Sequence, residues 1–177
     1  MRVIAGVHGG RELIAPRGRN TRPTSDRVRE AVFSILADVG GARVLDLFAG
    51  SGALAIEALS RGAAEAALVD SSASAIDAIR RNLESLRIEA TVHRQTASRF
   101  LERARTDARQ YDLVFLDPPY RQAGSFSEQL TAALVPVLAP DARVVAESDR
   151  RSPLELALEL LDERRYGDTL IRIHGSR

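Results

Sequence analysis

The chain has 177 residues, of which 45% are hydrophobic and 28% charged, and it carries a formal net charge of +1 and no cysteine. This length fits one domain with a sizeable core, and the missing cysteine excludes disulfides, cysteine nucleophiles and thiolate metal sites and suits a cytoplasmic protein. We predict no membrane partner and no metal, because the sequence shows neither an apolar run of roughly 18 residues nor a secretory leader, and because His8, His93 and His174 lack metal-ligand spacing.

The first thirty residues are basic. Two β-like runs, at 2–5 and 12–15, flank a glycine-containing stretch and predict a hairpin. Residues 1–30 contain seven arginines and three acidic residues, which gives this stretch a net charge of +4. Such an end is either a phosphate-contacting arm or an exposed, solvated terminus, and charge alone leaves both open. We divide the chain into an arm at 1–24 and one domain at 25–177.

The rest of the chain alternates between strand-like and helical patterns. An amphipathic helix is predicted at 25–38, with Thr24, Ser25 or Asp26 as its cap and Gly40-Gly41 as its end. The pattern then predicts strands at 43–48, 66–70, 90–93, 111–117 and 142–147, and helices at about 52–61, 73–86, 97–107 and 126–138. This alternation predicts an α/β fold with a parallel sheet covered on both faces. The tail predicts a helix at 154–161 and a closing hairpin at 164–173.

A glycine loop follows the first predicted strand. Gly50 and Gly52 permit tight turns and close approach of a ligand to the backbone. The helix that begins next presents free N–H groups to a carboxylate or a phosphate. The pattern G-x-G-x-x-A fits a dinucleotide site equally well.

Two acids favour a different ligand. Asp46 lies four residues before Gly50, where a buried carboxylate needs donors such as an ammonium group. Asp70 ends the next strand, where a carboxylate can accept both hydroxyls of a ribose. S-adenosylmethionine carries both groups. Alternatively, Asp46 caps a backbone turn and Asp70 caps the following helix.

The most informative motif is Asp117-Pro118-Pro119-Tyr120, at the carboxyl end of a predicted buried strand. Ligands bind at such strand ends in open α/β sheets. Proline removes a backbone donor, so the Pro118 carbonyl is free to face a cleft. A carboxylate, a carbonyl and an aromatic ring suit a planar amino group such as that of a nucleobase. The alternative is a strand-ending turn with a packed tyrosine.

These motifs resemble those of class I, Rossmann-like S-adenosylmethionine-dependent methyltransferases, and Asp117–Tyr120 resembles the motif of amino-methyltransferases. A closer resemblance, over nearly the whole chain, is to the bacterial 16S ribosomal RNA guanine-N2 methyltransferases of the RsmD type. It rests on Arg2-Val3-Ile4-Ala5-Gly6, Gly10-Arg11, the run from Arg22 to Glu30, the run from Leu45 to Leu54, and Glu57-Ala58-Leu59-Ser60-Arg61-Gly62.

The resemblance implies a mostly parallel seven-stranded sheet with helices on both faces and a small N-terminal β-hairpin. It implies methyl transfer to the N2 amine of one guanine in 16S ribosomal RNA, within a small-subunit particle. The implied catalytic residues are Asp117, Pro118 and Tyr120. The implied S-adenosylmethionine site consists of Asp46, Phe48, Gly50, Ser51, Gly52, Asp70, Thr96, Ala97 and Asp117. The implied RNA contacts are Arg2, Arg11, Arg22, Thr24 and Arg27.

One position departs from the family pattern. After the third strand the family usually places Asn or Asp against the adenine, whereas this chain has Thr96. Three rival functions stay open: a DNA or other RNA amino-methyltransferase acting on adenine or cytosine, a nucleotide-dependent oxidoreductase, and a non-catalytic RNA-binding module. We expect a monomer.

Overall fold

The computed structural model describes residues 1–17, 25–118 and 125–176. The helices are α1 (Asp26–Leu36), α2 (Ala53–Ser60), α3 (Ala73–Leu86), α4 (Ala97–Thr106) and α5 (Ser125–Leu134), and a 3-10 turn, Val135–Val137, follows α5. The strands are β1 (Arg43–Asp46), β2 (Glu65–Asp70), β3 (Thr91–Arg94), β4 (Tyr111–Leu116), β5 (Leu138–Asp149), β6 (Glu159–Tyr166) and β7 (Thr169–Gly175).

The strands form one seven-stranded sheet in the order β3-β2-β1-β4-β5-β7-β6. The first five strands pair in parallel, whereas β7 pairs antiparallel with both β5 and β6. The order reverses at β1, and in open α/β sheets such a switch point opens a crevice at the strands' carboxyl ends. The predicted fold class is confirmed.

Apolar residues cover both faces of the sheet. One core cluster joins α1, α2, α3 and the N-terminal segment, with Val3, Leu13, Phe33, Ile56 and Ile79 among its buried members. The other joins α4 and α5 to the opposite face. Parallel strands buried on both faces read as continuous apolar runs, which is why β1, β2 and β4 were visible in the sequence.

The two β-like runs of the N-terminal segment, residues 1–15, pair through an antiparallel bridge between Arg2 and Glu12. Backbone bonds flank the bridge, from Val3 N to Arg11 O at 2.9 Å and from Leu13 N to Met1 O at 2.9 Å. The pairing is too short to form regular strands, yet Val3 and Leu13 are buried in the first core cluster. This segment therefore packs on the domain instead of extending from it.

The predicted helix at 154–161 is wrong. Strand β6 begins at Glu159, and the residues before it are irregular. Leu154 and Leu156 are buried while Glu155 between them is exposed, a period of two that an extended chain produces. Tertiary packing thus overrides the helix propensity of leucine and glutamate. Helix α1 also ends at Leu36, ahead of Gly40-Gly41, with Ala37 as its C-cap at φ 57°.

Within residues 1–17, 25–118 and 125–176, no helix is long and apolar enough to cross a membrane. The same residues contain no group of three or more His, Asp or Glu side chains placed to hold a metal ion.

Candidate active site and cofactor cleft

Three predicted site carboxylates lie at the same edge of the sheet. Strand β1 pairs in parallel with β2 on one side and β4 on the other, with Asp46 opposite Leu68 and Phe115. Asp46 and Asp70 end their strands, and Asp117 follows the last residue of β4. The fold therefore assembles the strand-end cleft expected from the sequence.

The loop Ala49-Gly50-Ser51-Gly52, here called the cofactor loop, connects β1 to α2. Gly50 and Gly52 have φ values of 55° and 80°, which a residue with a side chain adopts at a cost. A methyl group at Gly52 would lie 2.8 Å from Leu68 Cδ2, whereas one at Gly50 would meet, among the described residues, only Phe48 O at 3.9 Å. Gly52 thus serves helix–sheet packing, and the described residues leave space beside Gly50.

Asp70 holds the loop in place. Its Oδ2 accepts the Gly50 N–H at 3.0 Å, and its Oδ1 accepts the Ser72 N–H at 2.8 Å, at the start of α3. The N-cap of α3 is Ser72, so Asp70 supports the turn that precedes the helix and is not itself the helix cap. Each carboxylate oxygen has two acceptor sites, so these bonds leave capacity for the hydroxyls of a ribose.

Asp46 is 2% exposed. Burial raises the pKa of its carboxyl from 3.8 to about 7, and the charge of Asp70 adds to the rise. Hydrogen bonds from the backbone N–H groups of Ala55 and Phe48 lower the pKa and offset part of this effect. A carboxylate in such a place costs free energy unless a cation accompanies it.

Asp117 is partly exposed beside the buried Pro118. The pKa of the Asp117 carboxyl is raised well above 3.8, first by loss of water and then by the charges of Glu147 and Asp46. Glu147 lies on β5, 6% exposed, one position beyond the pairing of Leu116 with Ala146. The sequence interpretation missed Glu147, although it ends an apolar run as Asp70 does.

The remaining predicted cofactor residues lie on the connections that follow β1 and β3. Phe48 is partly buried against the second core cluster. Thr96 caps α4 by accepting the Arg99 N–H at 3.4 Å, and Ala97 begins that helix and is buried. The neighbouring Gln95 N–H donates to Asp70 O at 3.2 Å, which places the β3–α4 connection beside the Asp70 end of the cleft.

Three of the predicted RNA contacts, Arg2, Arg11 and Arg27, are exposed. Arg2 lies 3.8 Å from Asp26, and Arg11 donates to Ser85 O at 3.2 Å. The predicted contacts at Arg22 and Thr24, and the predicted catalytic residue Tyr120 with its neighbour Pro119, lie outside the described residues.

A buried charge network, which the sequence interpretation also missed, fastens the N-terminal segment. Glu57 on α2 accepts the N–H groups of Ile4 at 2.7 Å and Ala5 at 3.0 Å, and it pairs with Arg61 at 2.7 Å. Arg29 on α1 is fully buried and donates to the carbonyl of Arg2. These bonds fix the position of the exposed arginines relative to the sheet.

Comparison with known proteins identifies the family. A family model described as "Conserved hypothetical protein 95" matches residues 1–175. The putative rRNA methyltransferase YlbH of Bacillus subtilis is 40% identical over 188 residues and covers 100% of both chains. The chain belongs to this family. Its likeness to RsmD-type proteins, drawn from motifs between Arg2 and Gly62, is thereby confirmed at the level of the family.

Two further relatives from Escherichia coli agree with this assignment. Ribosomal RNA small subunit methyltransferase D is 43% identical over 124 residues, which are 69% of this chain and 61% of the relative. The solved structure of the putative methyltransferase yhhF is 34% identical and superposes with a TM-score of 0.82, covering 99% of this chain and 97% of that chain. Family and fold thus coincide over the whole length of the chain.

Proposed function

We propose that the chain transfers a methyl group from S-adenosylmethionine to the exocyclic N2 amine of one guanine in 16S ribosomal RNA of the small ribosomal subunit, in the cytoplasm. Family membership supports a methyltransferase that acts on ribosomal RNA. The observation that carries the proposal is that Asp117 lies two residues past Phe115, which pairs with Asp46 just before the cofactor loop. An acceptor for an amino group would thus adjoin the place proposed for the methyl donor.

Three features of the strand ends suit S-adenosylmethionine. Gly50 and Ser51 would receive the methionine end, with Asp46 near its ammonium group and Asp70 at the ribose. Open space beside Gly50 and the remaining acceptor capacity of Asp70 support this placement. When bound, the cofactor supplies an electrophilic methyl group on a positively charged sulfur.

Asp117 and Pro118 then act on the guanine. Its amino nitrogen is a weak nucleophile because the lone pair is delocalised into the ring. Accepting its two N–H groups at Asp117 and at the Pro118 carbonyl would localise that pair and orient it toward the methyl group. Positive charge would develop on the nitrogen as the C–N bond forms and the bond from the methyl group to sulfur breaks, and the Asp117 carboxylate would stabilise that charge. The nitrogen would then lose one proton, to Asp117 or to water, and the demethylated cofactor would leave as S-adenosylhomocysteine.

The base must leave its stack to reach this cleft, as base-modifying enzymes require. We assign Tyr120 to stacking on the extruded guanine, a contact of roughly 1–3 kcal/mol in single-strand binders. Exposed Arg2, Arg11 and Arg27 would contact phosphates of the surrounding RNA.

The test is transfer of labelled methyl groups to unmethylated 16S RNA and to unmethylated small subunits, followed by mapping of the product. We expect N2-methylguanine at one position. Asp117→Asn should abolish transfer while keeping most of the affinity for S-adenosylmethionine. Asp112→Asn is the matched control, because Asp112 lies on the same strand and pairs with Arg43 at 2.8 Å, at the strand's far end.

If the methyl groups are found on adenine or cytosine, the proposed guanine target is wrong and that base is the target instead. Comparable turnover by Asp117→Asn would remove Asp117 from the mechanism. Binding of a nicotinamide dinucleotide in place of S-adenosylmethionine, measured by calorimetry, would reject methyl transfer altogether.

A further inference from the structure

Asn82 joins the N-terminal segment to the cofactor loop. It lies in the middle of α3, where an amphipathic helix would place an apolar residue, and it is 2% exposed. Its Nδ2 donates to Ser51 O at 2.9 Å and to Ile14 O at 3.0 Å, and its Oδ1 accepts the Ile14 N–H at 2.9 Å. One side chain thus holds two segments that are 37 residues apart in sequence.

The chemistry of this contact requires an amide. Pairing with both polar atoms of the Ile14 backbone needs an acceptor and a donor on the same side chain, and the second N–H remains for Ser51. Aspartate would accept from Ile14 but would face two carbonyl oxygens, and leucine or alanine would leave buried polar groups without partners.

A second contact reaches Ser51 from the other run of the segment. The Ser51 hydroxyl donates to the Met1 sulfur at 3.7 Å, and the Met1 carbonyl accepts the Leu13 N–H at 2.9 Å. The N-terminal segment is therefore joined to the cofactor loop at two places, directly through Met1 and through Asn82 at Ile14. The exposed Arg2 follows Met1 directly, and the exposed Arg11 lies three residues before Ile14.

We propose that Asn82 is a positioning residue that couples RNA binding on the N-terminal segment to cofactor binding at Ser51. Resting on the proposed function, the inference assigns a regulatory link within that site. RNA seated on the arginines fixes the segment, the segment fixes Ser51 O through Asn82, and the loop is then preorganised for the cofactor. Because such coupling is reciprocal, bound cofactor strengthens RNA binding by the same factor.

The experiment measures the affinity for S-adenosylhomocysteine, which cannot react, with and without a 16S RNA transcript. In the wild type we expect the RNA to tighten this affinity about fivefold or more, the lower range of known couplings. In the absence of RNA, Asn82→Ala should bind S-adenosylhomocysteine more weakly than the wild type does. Adding RNA should leave the affinity of this variant unchanged, a ratio of about one.

Ser60→Ala is the matched control. Ser60 is equally buried at 2%, and its hydroxyl also holds the segment, donating to Ala5 O at 2.6 Å and accepting the His8 N–H at 3.0 Å. It belongs to the far end of α2 and not to the cofactor loop. Ser60→Ala should keep both the affinity for S-adenosylhomocysteine and its response to RNA.

Hydrogen exchange in the wild type gives a second readout that does not depend on the variant folding. Saturation with S-adenosylhomocysteine should slow exchange of the Ile14 amide, which Asn82 accepts. Unchanged exchange at Ile14, an absent RNA effect in the wild type, or an intact RNA effect in Asn82→Ala would each overturn the coupling. Failure of the wild type to bind S-adenosylhomocysteine would instead reject the proposed function.

Discussion

The burial of Asp46 makes a quantitative prediction for the variant Asp46→Asn. The pKa of Asp46 rises from 3.8 to about 7 in the ligand-free protein. Ionising this carboxyl therefore costs roughly 4 kcal/mol more in the folded protein than in water. Asparagine has a similar shape and cannot ionise. It therefore removes the cost of charging this position, while the exchange of one acceptor oxygen for a donor costs about 1–3 kcal/mol.

The sign of the pH dependence follows from proton binding. Because the folded-state pKa of Asp46 is raised, the folded protein holds more protons than the unfolded chain between about pH 4 and pH 7. The stabilising contribution of the group is complete below the unfolded pKa and is lost as the pH rises through 7. The free energy of unfolding of the wild type should therefore fall over this range, by about 2–3 kcal/mol between pH 5 and pH 8 from Asp46 alone.

The assay is urea denaturation of the ligand-free proteins at pH 5, 6, 7 and 8. The free energy of unfolding of Asp46→Asn, relative to the wild type, should rise by about 2–3 kcal/mol across the series. Removing this charge also lowers the pKa of Asp117, which acts in the same direction. Affinity for S-adenosylmethionine should fall, since the partner proposed for its ammonium group is gone.

Asp112→Asn provides the control for this series. Hydrogen bonds from Arg43 lower the pKa of Asp112, so its contribution to stability is present above its ordinary pKa and is lost only on acidification below pH 4. Its stability difference from the wild type should be constant between pH 5 and pH 8. An equally constant difference for Asp46→Asn would refute the reasoning, because it would mean that Asp46 is not deprived of water in the folded protein.

Two further predictions concern the cofactor loop and the RNA contact at Arg27. Gly52→Ala should lower thermal stability strongly, because the new methyl group meets Leu68 at 2.8 Å. Gly50→Ala should cost only the backbone strain of about 1–2 kcal/mol in stability, but it should weaken cofactor affinity because its methyl group enters the space proposed for the ligand. Equal losses of stability in differential scanning fluorimetry would contradict the packing role of Gly52. Arg27→Gln should reduce the slope of log affinity for RNA against log salt by about 0.7–0.9, while Arg81→Gln, on a different helix and paired with Asp77 at 3.1 Å, should leave it unchanged. An unchanged slope for Arg27→Gln would mean that Arg27 is a solvated surface residue and not an RNA contact.

Local sequence patterns predicted the elements in which buried apolar residues recur at one constant spacing. Helix α3 was predicted at 73–86 and spans Ala73–Leu86, because its apolar residues form one stripe against the sheet. The residues from Leu154 to Leu161 have helical propensity too, but β7 offers an unpaired edge, and strand pairing with it wins for the second half. Strand formation at this point depends on pairing with β7, which comes later in the chain. The residues of the segment itself therefore do not indicate it.

The candidate site divides in the same way. Asp70 and Asp117 were visible because each ends an apolar run, and Asp46 was visible because it interrupts one just before the glycine loop. Asn82 was hidden because its partners, Ile14 and Ser51, are remote in sequence and contribute only backbone atoms. Every residue has a backbone carbonyl, so its role as an acceptor does not depend on residue type. Such a contact can be recognised only when the fold shows which segments lie together.

The acids at the strand ends reveal a balance between stability and function. Asp46, Asp117 and Glu147 crowd one edge of the sheet, and the pKa of Asp117 rises partly because the other two lie near it. Burial makes ionisation of Asp46 and Asp117 costly in the ligand-free fold. The proposed methyl donor would bring an ammonium and a sulfonium group to this edge, and these positive charges would favour the ionised forms of both carboxyls. Cofactor binding would then lower the pKa of Asp117 and give it the ionised form that accepts the guanine amine, which makes the methyl donor a condition for recognising the base.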